Sequence, residues 1–181
     1  MKKIAVVFVA LFMIAALAQA QHGPMGAGHG PEGEHGPGGP GGPGGGAIVG
    51  SDGTIYVPSV TVDTTANTAT MTIKAVSPSG SVLWTATLSN PGHATLSDGN
   101  LVVESAARAS DGTITTTLTA IATASGATAW TKTLNGHAQL FPFSGGVYAL
   151  VIVPPATQGG TPTRSLVGIS NSGSTLFTLA L

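Results

Sequence analysis

The chain has 181 residues, a formal net charge of −1 and only 7% charged residues, with 27 glycines, 12 prolines and no cysteine. So little basic charge excludes a nucleic-acid surface, which needs a Lys/Arg stripe, and a surface for anionic membranes on the same ground. The absence of cysteine excludes disulfides and lipid attachment through an N-terminal cysteine.

Residues 1–20 read MKKIAVVFVALFMIAALAQA. Lys2 and Lys3 make a basic start, Ile4 to Leu17 is an unbroken apolar run, and Ala18-Gln19-Ala20 is an A-x-A cleavage site. These are the parts of a signal peptide of bacterial style. The apolar run is short for a bilayer span, and no later stretch is long enough for one. The expectation is cleavage after Ala20 and a mature protein with no membrane span, in the periplasm or outside the cell.

Residues 21–46 read QHGPMGAGHGPEGEHGPGGPGGPGGG. Such a segment cannot bury enough apolar surface to offset its ordering entropy, so a disordered arm is expected, with a reach of roughly 28 Å as a flexible coil. His22, His29 and His35 each stand in a His-Gly-Pro tripeptide, with Met25, Glu32 and Glu34 among them. Imidazole suits Cu, Ni or Zn, and thioether suits Cu(I), so the arm is a candidate metal binder. The competing reading is a spacer in which His-Gly-Pro is a drifted unit of the Gly-Gly-Pro tract. The spacer reading is preferred, because any metal site here would have to order its own backbone.

From Ala47 the composition turns to Val, Ile, Leu and Thr, interrupted by turn residues. GAIVG leads to a turn at Asp52-Gly53, a hairpin signal. TIYVPSVTV, the loop DTTANT, ATMTIKAV, the turn SPSG and SVLWTATL follow. The pattern then recurs. Ser51-Asp52-Gly53 returns as Ser97-Asp98-Gly99 and Ser144-Gly145-Gly146; Gly80 as Gly126 and Gly173; Trp84 as Trp130 and Phe177; Leu88 as Leu134 and Leu181. In the last strand of each unit, apolar and polar positions alternate: Trp84, Ala86 and Leu88 share one face and Thr85 and Thr87 the other. VYALVIV in the third unit is apolar at every position, the pattern of a strand buried on both faces. A constant period with four strands predicts an all-β chain of three four-stranded antiparallel propeller-like blades, a partial β-propeller, over 47–92, 93–138 and 139–181, rather than a β-sandwich. No helix is expected beyond the leader.

The stretches AVSPSGSVLW, AIATASGATAW and VGISNSGSTLF resemble the repeat of the pyrroloquinoline-quinone-like (PQQ-like) family of β-propellers, in which a blade runs A-x-D-x-x-x-G-x-x-x-W. The resemblance covers residues 47–181. It implies that Trp84, Trp130 and Phe177 dock neighbouring blades, and that Gly80, Gly126 and Gly173 support the turns that present the aromatics. The family's Asp is replaced by Ser77, Ala122 and Ser170, and the first and third turns are one residue shorter than the second.

Few residues here could carry a reaction. Asp52 and Asp98 fall in turns, Asp63 and Asp111 in loops, and Glu104 in a strand; an aspartate in a turn is expected to bond its own backbone. His93 and His137 recur in NPGHA and NGHA, in the links between units, where a solvated or loop-capping role is the expectation. No paired carboxylates, no Ser-His-Asp order and no His/Glu cluster is apparent. The chain is read as non-enzymatic and without a cofactor; the quinone-dependent dehydrogenases that the resemblance brings to mind close many blades around their cofactor. Three blades leave two end faces bare, so the expected partner is a second copy in a homodimer of six blades, or another propeller or envelope protein; a glycan ligand stays open. The functional expectation is an exported interaction module, with metal binding through the arm as the alternative.

Overall fold

The computed structural model describes residues 46–155 and 159–181. The leader, and the arm with His22, His29 and His35, lie outside the described residues. The twelve strands are β1 (Ile48–Val49), β2 (Ile55–Asp63), β3 (Thr68–Val76), β4 (Val82–Leu88), β5 (His93–Ser97), β6 (Asn100–Arg108), β7 (Ile114–Ala122), β8 (Thr128–Asn135), β9 (His137–Phe143), β10 (Gly146–Val153), β11 (Thr163–Ser170) and β12 (Thr175–Ala180). They form three four-stranded antiparallel sheets, each built from four consecutive strands. No described residue is helical. The third sheet begins at His137, just before the division expected at 139.

The three sheets share one register. Tyr56, Ala75 and Trp84 stand in one cross-strand row of the first sheet. Val102, Ala120 and Trp130 form the same row of the second, and Tyr148, Gly168 and Phe177 that of the third. The third and fourth strands shift register just after this row in every sheet, at Ala75/Val76, Ala120/Ile121 and Gly168/Ile169. Such a bulge sharpens the local twist and re-aims the neighbouring side chains; here it lies beside the aromatic.

Two apolar layers join the sheets. Tyr56, Met71, Ile73 and Ala75 of the first sheet meet Leu101, Val103 and Ile121 of the second. Val102, Leu118 and Ala120 on the second sheet's other face meet Val147, Ala149, Val151, Val167 and Ile169 of the third. Each large aliphatic side chain buried in these layers contributes about 1.5–3 kcal/mol relative to exposure.

At each junction an aromatic ring lies on a turn glycine of the next sheet. A Cβ added at Gly126 would stand 2.7 Å from the Trp84 ring, and one at Gly173 would stand 2.8 Å from the Trp130 ring. Both glycines have positive φ, 73° and 83°, so a side chain is disfavoured there both sterically and conformationally. The indoles, half-buried, are also anchored by their N–H groups: Trp84 Nε1 donates to the Thr123 carbonyl at 2.7 Å and Trp130 Nε1 to the Asn171 carbonyl at 2.8 Å. Ser77 and Ser170, where the resemblance leads one to expect Asp, take over the turn cap by accepting the Ser81 and Ser174 N–H groups. Ala122 lacks a side-chain oxygen, and its longer turn closes through Ser125 Oγ and backbone bonds.

Three sequence expectations need correction. Within the described residues Phe177 docks no neighbouring sheet and packs on Gly168 of its own; Gly80 does hold its turn, with φ of +85° and its N–H on the Ser77 carbonyl, but no described atom lies within 4 Å of a Cβ placed there. VYALVIV is buried on one face only, through Val147, Ala149 and Val151. Tyr148, Leu150 and Ile152 on its other face are half-exposed, because no described element covers them. Asp52, Asp63 and Asp111 do cap their own turns, but Asp98 accepts the Gly145 N–H of the next sheet at 2.7 Å.

Truncating either docked indole removes a half-buried ring and its hydrogen bond. Trp84→Ala and Trp130→Ala are each expected to cost about 3 kcal/mol, the low end for removal of a large aromatic, and Phe177→Ala less. Gly126→Ala is expected to cost more than Gly80→Ala, which carries only the roughly 1–2 kcal/mol of a left-handed non-glycine residue. Urea unfolding of the five variants against the parent, followed by circular dichroism, measures these differences.

Candidate functional site: an open aromatic face and an inter-sheet carboxyl

The row Tyr148–Gly168–Phe177 extends through Phe141 on β9, so it crosses all four strands of the third sheet. A second row runs Gln139–Leu150–Leu166–Leu179. Phe143 stacks on Tyr148 with ring centroids 4.2 Å apart and planes 12° apart, and Tyr148 meets Phe177 at 6.0 Å and 47°. In the first two sheets the matching rows are covered by the next sheet. Here they face outward: Phe177 is 41% exposed and Leu179 54%. A contiguous face of large apolar side chains is uncommon on a protein surface and marks a contact site.

The opposite end of the stack is different. The free face of the first sheet carries Val57, Ser59 and Thr61 on β2, with Lys74, Thr72 and Thr70 opposite them on β3. Ser59 Oγ donates to the Thr72 carbonyl at 3.2 Å. The hydroxyls and the lysine make this face more polar than the aromatic one.

Between the second and third sheets lies a cavity of about 310 Å³, lined among others by His93, Glu104, Thr116 and His137. Glycine in the first link makes this arrangement possible: a Cβ on Gly92 would strike the Glu104 carbonyl, and the close approach sets His93 opposite Glu104 in register. Glu104 Oε2 is enclosed without a hydrogen-bond partner. Burial pushes the carboxyl up to about 7, against a smaller opposing effect of the Leu140 N–H that it accepts. Thr116 Oγ1 donates to the Gly136 carbonyl at 2.7 Å and accepts the Ala138 N–H at 3.1 Å, which ties the second link to β7.

The recurring His93 and His137 therefore open β5 and β9 and line the same cavity as Glu104, a grouping not apparent from the sequence. The recurrence of Gly-His-Ala and a lone acid in an apolar strand were the available signals. The cavity offers one carboxyl that changes charge near neutrality. Among the described residues no three His, Cys, Asp or Glu side chains are gathered to hold a metal ion. A larger cavity of about 500 Å³, lined by Asp52, Tyr56, Asp98 and Phe143 among others, follows the turns at one rim.

No family model matches this chain, and no curated protein matches it. Fold and surface therefore carry the functional reading.

Glu104 gives the fold a pH signature. Its carboxyl is raised in the folded state from an ordinary value of 4.5, so its contribution to stability is full below about 4.5 and is lost as pH rises through about 7. Asp52 and Asp111 are held below the usual carboxylate range by the Thr54 and Thr113 N–H groups, so they titrate at lower pH and outside this window. In Glu104→Gln the decline in unfolding midpoint between pH 4.5 and 7.5 is expected to be smaller than in the parent. Chemical unfolding at several pH values measures the difference.

Proposed function

We propose that this chain is an exported, non-catalytic interaction module, made of propeller-like blades of the PQQ-like repeat kind, that binds a partner through the aromatic face of its third sheet. The observation that carries this reading is the row Phe141–Tyr148–Gly168–Phe177. Its two counterparts in the same chain are both covered by a neighbouring sheet, and this one is bare. The leader read from residues 1–20 supplies the export. The arm lends the module reach, and no cofactor is assigned to it.

Replacing Phe177 and Leu179, both exposed, by Asp would charge the face without emptying the core. A photoreactive side chain at position 176, exposed and next in the chain to Phe177, is expected to crosslink a defined partner in the native envelope. The Phe177→Asp/Leu179→Asp variant is expected to lose that adduct while keeping its strand signal by circular dichroism. An adduct unchanged by the double substitution would remove the face from the proposal.

Metal handling by the arm is a second reading, favoured by the three His-Gly-Pro units at His22, His29 and His35. Titration with Cu(II), Ni(II) and Zn(II) tests it, on the chain from Gln21, a chain from Gly46 and a triple His→Ala variant. The expected result is binding no tighter than that of an unrelated histidine-containing peptide. Submicromolar binding confined to the full arm, fading below about pH 6 as the imidazoles protonate, would establish the second reading instead.

A further inference from the structure

The chain contains two filled docks and the two halves of a third. Trp84 fills the turn glycine of the second sheet and Trp130 that of the third. Gly80 is the same turn glycine of the first sheet. Its φ is +85°, beside +73° at Gly126 and +83° at Gly173. Its N–H closes the turn on the Ser77 carbonyl at 2.9 Å, as the Gly173 N–H does on the Ser170 carbonyl at 2.9 Å. Yet no atom of the described residues stands within 4 Å of it on the side where the other two hold a ring. Phe177 is the third aromatic, in the same register as the two tryptophans and 41% exposed. A ring with no turn glycine of a neighbouring sheet, resting on Gly168 of its own sheet, therefore stands at one end of the stack, and a turn glycine without a ring at the other.

Although the first sheet's free face is more polar than the aromatic one, its residues correspond in register to those that receive a sheet inside the stack. The second sheet receives the first through Leu101, Val103 and Ile121, all buried. The first sheet presents Ile55, Val57 and Val76 at the corresponding places in its register, and Val57 is 41% exposed. Lys74 stands on this face where the second sheet has Thr119; its methylene stem can lie along apolar surface with the ammonium at the edge. The docked tryptophans use a carbonyl in the receiving turn, from Thr123 or Asn171. Pro78 occupies that place in the first turn, and a phenylalanine has no N–H that needs its carbonyl.

We propose that the partner is a second copy of this chain bound head to tail, Phe177 of each copy seated on Gly80 of the other. This rests on the reading of the third sheet's face as an interaction face and names its occupant. A head-to-tail contact either closes a ring or propagates. Two copies of three sheets make six, inside the range of roughly four to eight that closed propellers use, so the ring closes at two. Both end faces are then covered, with no bare face left for a third copy.

The test is the mass of the chain from Gln21 by light scattering across a concentration series. The parent is expected to be a dimer. Phe177→Asp and Val57→Glu, at opposite ends of the stack, are each expected to raise the dimer dissociation constant by about a hundredfold, the scale of a central interface residue. An equimolar mixture of the two variants is expected to recover dimers, because one unaltered Phe177–Gly80 contact survives only in the mixed pair. Leu179→Asp serves as the second variant of the third sheet if Phe177→Asp loses its strand signal. A monomeric parent overturns the proposal, as does a polydisperse filament. So does a dimer lost in Phe177→Asp but indifferent to Val57→Glu, the mark of two third sheets meeting face to face. A monomeric parent whose crosslinked envelope partner still depends on Phe177 and Leu179 would sink the second copy and leave the interaction face standing.

Discussion

Everything in this fold depends on how one sheet can lie on the next. Strands as apolar as β6, β7 and β10 give a sheet two faces to cover, and a four-stranded sheet cannot cover either by itself. The chain covers them by stacking, and the seat of an aromatic on a glycine sets the stack. A glycine at positive φ removes the side chain that would hold the next sheet away. The ring that takes its place is anchored by its own N–H to a carbonyl of the same turn. One residue pair, repeated, thus provides both close approach and direction.

A second set of contacts ties the stack at its turns. The Gly145 N–H donates to Asp98, Ser97 Oγ donates to the Gly146 carbonyl at 2.6 Å, and Asn100 Nδ2 donates to the Asn171 carbonyl at 3.0 Å. These bonds satisfy polar groups that the stacking would otherwise strand away from water. Glu104 is the exception. One of its oxygens is enclosed with no partner, and the cavity beside it gathers both histidines of the described residues. An interface otherwise built largely from apolar side chains and paired polar groups thereby contains one enclosed carboxyl whose charge depends on pH near neutrality.

The strand pattern was almost wholly readable along the chain, because it is written in local terms. Asp-Gly and Ser-Gly turns close the hairpins, alternation assigns the faces of β4 and β8, and the recurrence of Gly80 with Trp84 sets the repeat. The cavity was not readable. His93, Glu104 and His137 come from three strands, and their grouping depends on where the links pass. Nor was the role of Asp98 readable, since Asp52 in the same Ser-Asp-Gly setting bonds Thr54 two residues on, while Asp98 reaches into the next sheet.

By itself the sequence determined the all-β character, the three repeats, their register and the positions of three aromatics and three turn glycines, because each of these is a matter of spacing and local backbone preference. Tertiary structure decided which aromatic meets which glycine. Periodicity makes all three copies look alike, but a stack has ends. The pairing is displaced by one sheet, Trp84 to Gly126 and Trp130 to Gly173, and this displacement leaves Phe177 and Gly80 unpaired at opposite ends. Only the three-dimensional arrangement exposes that difference: the sequence shows Phe177 where the other units have Trp, and Pro78 in the turn of Gly80, but neither substitution tells which end of the stack lacks a neighbour.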